Sequence, residues 1–398
     1  MVQLKMKPGI HLNREQTIKL YVVLILVVPV MLDLLFYGTN VARLSRIGLI
    51  SLVAASVLIN HNVFLKNKLV GQDTIILIVV LYALGTIVSL SHGGVLTPLF
   101  LSLLIISIIL ALNIDCYRSA LNGVALSAHI LSASSVVAIF LKINPTNFYL
   151  DDSEYPIFFK QIGIAGRNIG VFTQPNTLGE VAALSIMFIV GSKTNKFLLL
   201  APIFCLMKCG SRNALIGIVV ALFFLAMFKF LKKEKFRKIG KLEFPWILRI
   251  LIACALSVII YKFIQLINLL DPALFTGRAA VWQSALTLAK NNPFFGLGWD
   301  FESRAISSNL LNVWAVSAHN NFLEIAFSTG SLGLFLFLIL YSKILVNFSR
   351  LPMLEKLLVL YISVSGLVEY TIKFTYPSIT TYLFIFINIG SSSRTEEK

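Results

Sequence analysis

Charged residues are scarce in this chain, at 13% of its 398 residues. A soluble domain carries roughly 25%, so too few are present to cover a water-facing surface. Strand-type alternation of apolar and polar residues is missing too, which excludes a barrel of the outer-membrane kind. No Walker loop is present, so ATP hydrolysis within the chain is not expected. No GxSxG or HExxH stretch occurs, and no acid-rich nucleotide-sugar motif faces the expected cytoplasmic side. Cysteine is limited to Cys116, Cys205, Cys209 and Cys254. They lack CxxC or zinc spacing and lie in or beside apolar runs, so they read as packing thiols rather than metal ligands. Internal repeats and low-complexity stretches are absent.

What the chain does have is apolar length: 57% of residues are hydrophobic, with a mean hydropathy of +0.85. About twelve runs suit a bilayer crossing: 18–36, 41–60, 74–91, 97–113, 120–141, 177–192, 197–209, 213–231, 246–264, 319–346, 354–371 and 376–390. The expectation is an all-α polytopic integral membrane protein, a single domain over 1–398. The first run lacks a cleavage-type flank and is followed by further spans, so it is expected to be a span and not a signal peptide. A net charge of +16 raises the question of nucleic acid. Its distribution argues against that, because Lys and Arg cluster in short segments between apolar runs. With the N-terminus inside, about 22 of the 34 basic residues face the cytoplasm. Both termini are then cytoplasmic, and the two long outer loops are 142–176 and 265–318.

The unusual polar residues collect in those loops, above all between Gly277 and Gly333. Arg167 precedes the sixth span, Arg212 opens the eighth, Arg278 lies in the second loop, and His319 begins the tenth. A single Arg near a span usually snorkels or is solvated, the default reading for Arg43, Arg46 and Arg304. Several together at outer helix ends suit bidentate binding of a diphosphate, helped by helix N-termini. The neighbouring Gly277 and Ser211 allow a ligand to approach closely. A helix N-terminus disfavours a further positive charge, so His319 is expected to be a neutral imidazole able to accept a proton, with Asn320 positioning it. A helix-capping His–Asn pair is the plainer alternative. Residues 279–290 repeat apolar positions at helical spacing and read as an amphipathic helix on the outer leaflet. Pro293-Phe294-Phe295-Gly296-Leu297-Gly298 then makes a tight turn. Among the intramembrane acids Asp33, Glu180, Glu324 and Glu369, each needs a partner. Glu180 and Glu324 are placed to orient an Arg or the His. His129 and Lys208 read as structural polar contacts, and Asp151-Asp152-Ser153-Glu154 as a solvated loop rather than a cation site.

At these residues the chain resembles the O-antigen ligase and polymerase superfamily of bacterial envelope glycan enzymes. The resemblance rests on Arg167, Gly170, Pro175 and Asn176, on Ser211-Arg212, and on Gly277-Arg278 with Trp282. It rests most on Pro293–Gly298, on Ala318-His319-Asn320-Asn321-Phe322-Leu323-Glu324, and on Gly330-Ser331-Leu332-Gly333. It covers roughly residues 163–335, and the first 140 match only as a pattern of spans. It implies a GT-C-like architecture and metal-independent, cofactor-free glycosyl transfer at the periplasmic face of the bacterial inner membrane. The donor would be a glycan on undecaprenyl diphosphate. The acceptor would be a second lipid-linked repeat unit or a lipid A-core sugar. Chain-length regulator and flippase proteins would be partners, beside membrane lipids and not nucleic acid. On this reading His319 and Asn320 are catalytic, Arg212, Arg278 and Arg167 bind diphosphate, and Glu324 and Glu180 support them. Two arginine-bearing outer loops of comparable weight tilt the reading toward a polymerase over a ligase. A lipid-linked oligosaccharide transporter or flippase suits the span count, but the polar groups gather at one face and not at midplane. A non-catalytic scaffold is the remaining class.

Overall fold

The computed structural model describes residues 14–36, 48, 72–91, 117–143, 168–172, 174–192, 194–230, 278–299, 301, 318–372 and 378–396. Among these residues there is no strand. The helices are α1 (Arg14–Phe36), α2 (Gln72–Ser91), α3 (Tyr117–Phe140), α4 (Pro175–Gly191) and α5 (Leu200–Cys209). They continue with α6 (Arg212–Phe230), α7 (Arg278–Ala289), α8 (Asn321–Asn347), α9 (Met353–Val368) and α10 (Ile379–Glu396). Of the twelve expected spans, 41–60 (apart from residue 48), 97–113 and 246–264 lie outside the described residues, and each of the others falls on a helix. The short 197–209 run becomes a 3₁₀ turn, Lys196–Leu199, leading into α5. Among the described residues, four helices are long and apolar enough to cross a membrane: Glu15–Leu32, Asp73–Ser91, Tyr117–Phe140 and Asn321–Arg350.

α4 is the central post. Every residue from Leu178 to Ile189 is buried, against α3, α5, α6 and α9. In lipid, helices gain little from hydrophobicity and associate by close packing at small residues. That rule is visible here. A Cβ on Gly179 would stand 2.4 Å from the Ser211 Cβ, and one on Gly217 would meet the Tyr361 ring at 2.8 Å. α4, α6 and α9 therefore sit unusually near one another. Polar contacts add to this: His129 Nδ1 lies 2.6 Å from Ser185 Oγ across α3 and α4, the structural role expected of it. Cys205 and Cys209 are buried free thiols, as their sequence context suggests, while Cys116 and Cys254 lie outside the described residues.

α8 is antiparallel to α2, and it is broken. Gly330 has φ +66 and ψ −167 inside the helix. The break opens two rungs of the helical ladder, and the Pro293–Gly298 turn fills them. Leu297 N–H donates to Phe327 O at 2.8 Å and Gly298 N–H to Ser328 O at 2.7 Å. In exchange Ser331 N–H donates to Pro293 O at 2.9 Å and Leu332 N–H to Phe294 O at 3.2 Å. Each lost rung is thus replaced by a bond to the turn, which is how irregular backbone is tolerated at membrane depth. Trp299 seats the turn on α2, its backbone N–H donating to Ser89 Oγ at 2.7 Å and its indole N–H to Tyr82 O at 3.3 Å. At the far end of the same helix pair, the buried Lys343 Nζ donates to Asp73 Oδ2 and, at 2.6 Å, to Thr74 Oγ1.

Candidate functional site

The starts of α4, α6 and α8 and the end of α9 share one end of the bundle, and a single carboxylate joins them. Glu369 follows the last residue of α9. Its Oε2 accepts from Asn176 Nδ2 at 3.0 Å and from Asn213 Nδ2 at 3.1 Å. Its Oε1 lies 2.6 Å from His319 Nδ1. An ionised carboxylate only accepts, so Nδ1 is the donor here, and in the neutral ring that tautomer leaves the lone pair on Nε2. The His319 side chain keeps 26% of its surface exposed while that of Glu369 keeps 13%. The ring can therefore meet a substrate, and the acid is enclosed by the groups it orients.

Local sequence explains each placement. Gly170, at φ +57, packs so closely on Ser135 that a Cβ there would lie 2.6 Å from the Ser135 Cβ. Asn168 N–H donates to Lys208 O at 3.0 Å. This turn delivers Pro175 to the first position of α4, where its missing N–H is harmless, and Asn176 follows. Gly210 ends α5 in the left-handed conformation, after which Ser211, Arg212 and Asn213 begin α6. The close approach at Gly179 then brings Asn176 and Asn213 to the same carboxylate.

The run His319-Asn320-Asn321 fastens α8 to the end of α9 residue by residue. Asn320 is the helix N-cap, its Oδ1 accepting from the N–H of Phe322 and Leu323. Its Nδ2 donates to Leu367 O at 2.8 Å. Asn321 Oδ1 accepts from the N–H of Thr371 at 2.8 Å and Ile372 at 3.0 Å, and its Nδ2 donates to Thr371 Oγ1 at 3.1 Å. Gly366 leaves room for that amide, since a Cβ there would lie 2.2 Å from Asn321 Nδ2. His319 itself takes φ +49, a left-handed conformation that costs a non-glycine residue about 1–3 kcal/mol. Its neighbours enforce it. Ala318 N–H donates to Glu324 Oε2 at 2.8 Å, and Ala318 O accepts from Trp282 Nε1 at 2.6 Å.

α7 forms where the amphipathic segment was expected. Its apolar face, Val281, Trp282, Ala285 and Leu286, packs on Leu297, Phe301, Ala318, Leu323 and Phe327. Protein, rather than lipid, covers that face. Arg278 is its first residue. Arg212 is exposed at the start of α6. Arg167 lies outside the described residues, although its chain neighbour Asn168 is pinned to the last turn of α5. Glu180 is buried on α4 one turn beyond Asn176. The carboxylate on His319 is thus neither Glu180 nor Glu324: Glu324 holds the backbone before the imidazole, and Glu369 holds the ring. Among the described residues no three His, Cys, Asp or Glu side chains gather as a metal site would require.

The helix starts carry a charge pattern that runs against custom. α4, α6 and α7 have no acid in the first turn, and α6 and α7 both open on Arg. A cation at the positive end of a helix dipole is unfavourable unless an anion joins it. The fold and this site define an all-helical, apolar protein with a basic, imidazole-bearing polar centre at one end of its bundle. Residues 197–338 match the protein-family model described as O-antigen ligase, which supports the superfamily that the motifs resemble. The match supports glycan handling of the O-antigen ligase or polymerase type. It takes in Arg212, Arg278, His319, Asn320 and Glu324, and ends before Glu369. No curated protein and no solved structure matches the chain.

Proposed function

We propose that this protein is a multi-pass glycosyltransferase of the bacterial inner membrane, with about twelve spans and both termini cytoplasmic. Working at the periplasmic face, it moves a glycan from undecaprenyl diphosphate to an acceptor sugar hydroxyl without a metal ion. The observation that carries this reading is the meeting of Asn176, Asn213 and His319 on Glu369. An imidazole oriented by a carboxylate, at the end of the bundle where Arg212 begins α6, supports reading His319 as a base. A lipid diphosphate is a good leaving group and needs no general acid. It needs positive charge where negative charge develops, and a base for the acceptor hydroxyl.

In this scheme His319 Nε2 takes the hydroxyl proton as the acceptor oxygen attacks the anomeric carbon. The bond from that carbon to the diphosphate oxygen breaks, and the charge that leaves is met by Arg212 and Arg278, with Arg167 assisting. The helix starts, which lack their own acids, supply the rest of the field. Asn320 acts by positioning, because both ends of its amide are engaged within the protein. Glu324 and Glu180 are supporting acids, one behind the His319 peptide and one beneath Asn176. The donor site lies outside the supply of ATP and nucleotide sugars, which is why a preactivated, membrane-bound donor fits it.

The two arginine-bearing loops favour a polymerase, with a second lipid-linked repeat unit as acceptor, and a chain-length regulator and a flippase as partners. A ligase to lipid A-core is the other form of the same chemistry. The test is a deletion strain complemented with His319→Ala or Arg278→Ala, each checked for normal membrane levels. Loss of a base costs on the order of 10²–10⁴ in rate and loss of one group that stabilises the leaving charge on the order of 10²–10³, so neither variant should restore long glycan. Full-length glycan from either variant would overturn the reading. Single repeats on the acceptor in the deletion strain mean a polymerase; long chains left on the lipid carrier mean a ligase.

A further inference from the structure

The peptide before His319 is gripped by a helix that the reaction scheme uses only for charge. Trp282 is buried on α7, and its indole N–H donates to Ala318 O at 2.6 Å. Ala318 is fully buried, and its own N–H is held by Glu324. On the other side of His319, Asn320 is fixed as the N-cap of α8 and tied to Leu367 O. The left-handed turn at His319 is therefore clamped from both flanks, and one clamp belongs to α7. Arg278 stands one helical turn before Trp282 on that helix. The rest of α7 is held by packing: Val281, Ala285 and Leu286 lie against Leu297, Leu323 and Phe327.

We propose that Trp282 is a positioning residue that couples the donor to the base. This rests on the reading of Arg278 as a diphosphate ligand and of His319 as the base. A diphosphate bound at the first turn of α7 fixes that helix. The indole N–H then fixes the Ala318–His319 peptide and, with it, the direction of Nε2. The imidazole is aligned when a donor is in place, which favours transfer to the sugar hydroxyl over loss of the glycan to water.

The experiment is steady-state transfer by the full-length protein in detergent or vesicles, with a polyprenyl-diphosphate-linked glycan as donor. Trp282→Phe keeps an aromatic ring and removes the N–H. Its kcat should fall about tenfold, the order expected for one buried hydrogen bond lost from the transition state, with donor KM within about twofold. Arg278→Lys should raise donor KM, and the double variant should lose less than the product of the two single losses. Leu286→Ala loosens the same packing and leaves the hydrogen bond, so its kcat should stay within about twofold of the parent. A Trp282→Phe protein with unchanged kcat overturns the proposal. So do losses that simply multiply, or a Leu286→Ala protein that falls as far as Trp282→Phe. Failure of the underlying reading is separate, because it appears as full transfer by His319→Ala.

Discussion

Glu369 has three donors on two oxygens, and this makes it the most informative residue for testing the site. Glu369→Gln keeps the size but presents an NH₂ group where one of the donors now points. With the charge gone and the His319 tautomer no longer enforced, transfer should fall at least tenfold while the protein stays folded. Glu369→Ala should do more damage, because it also removes the acceptor that joins the amides of Asn176 and Asn213. Each net hydrogen bond lost costs about 0.5–1.5 kcal/mol, so a lower melting midpoint in detergent should accompany lost activity. Equal melting midpoints for the two variants would mean that the amides find other partners, and wild-type transfer by Glu369→Gln would remove the acid from the site. Much of the site was legible at this scale. An imidazole and an Asn at the mouth of an apolar run are conspicuous by chemistry alone. Glu369 was visible only as an intramembrane acid in need of a partner. Its partners lie on three other helices, and no local pattern links positions 176, 213, 319 and 369. Sequence distance made Glu324 the natural partner for His319, yet on a helix its side chain turns back to the Ala318 N–H.

At the scale of elements, the helices that form on the apolar runs among the described residues, and the short helix at 279–290, followed from hydropathy and periodicity, because burial in lipid or protein acts on those quantities directly. The break in α8 did not. A run from 319 to 346 averages as one span, and hydropathy carries no information about which backbone bonds are made. The break depends on two glycine positions 34 residues apart, Gly296 and Gly330, that must touch. A Cβ on Gly296 would lie 2.4 Å from Gly330 N, and one on Gly330 would lie 2.4 Å from Phe294 C and O. Both have positive φ, +73 and +66, so either alanine adds backbone strain to a clash with main chain. The helix start lies nine residues above the break, about 14 Å along the axis, and the turn that fills it follows directly after α7. Gly330→Ala should therefore unseat the Pro293–Gly298 turn, lower the melting midpoint in detergent by several degrees, and abolish transfer. Ser331→Ala, at an exposed neighbour, should leave both within error. A Gly330→Ala protein with unchanged melting and activity would show that the turn and the broken helix are not interdependent.

Across the whole molecule, two kinds of polarity occupy opposite ends. The Glu369 centre lies where α4, α6 and α8 begin, and the buried Lys343 with Asp73 lies near the other end of α8. On the proposed topology, with a cytoplasmic N-terminus, the first end would face outside. This sidedness carries chemical weight. A base and a diphosphate site facing the cytoplasm would meet nucleotide sugars, and the same residues facing outward meet only lipid-linked donors. Thiol labelling decides between the two. In a background with the four native cysteines replaced, single cysteines go to exposed positions at each end. Lys142→Cys and Asn291→Cys report on the site end, and Asn195→Cys reports on the opposite end. A membrane-impermeant maleimide added to intact spheroplasts should label positions 142 and 291 and should reach 195 only after permeabilisation. The reverse pattern would place His319 and Glu369 inside, and a polyprenyl-diphosphate donor would then lose its physical rationale even though every contact in the site stayed the same.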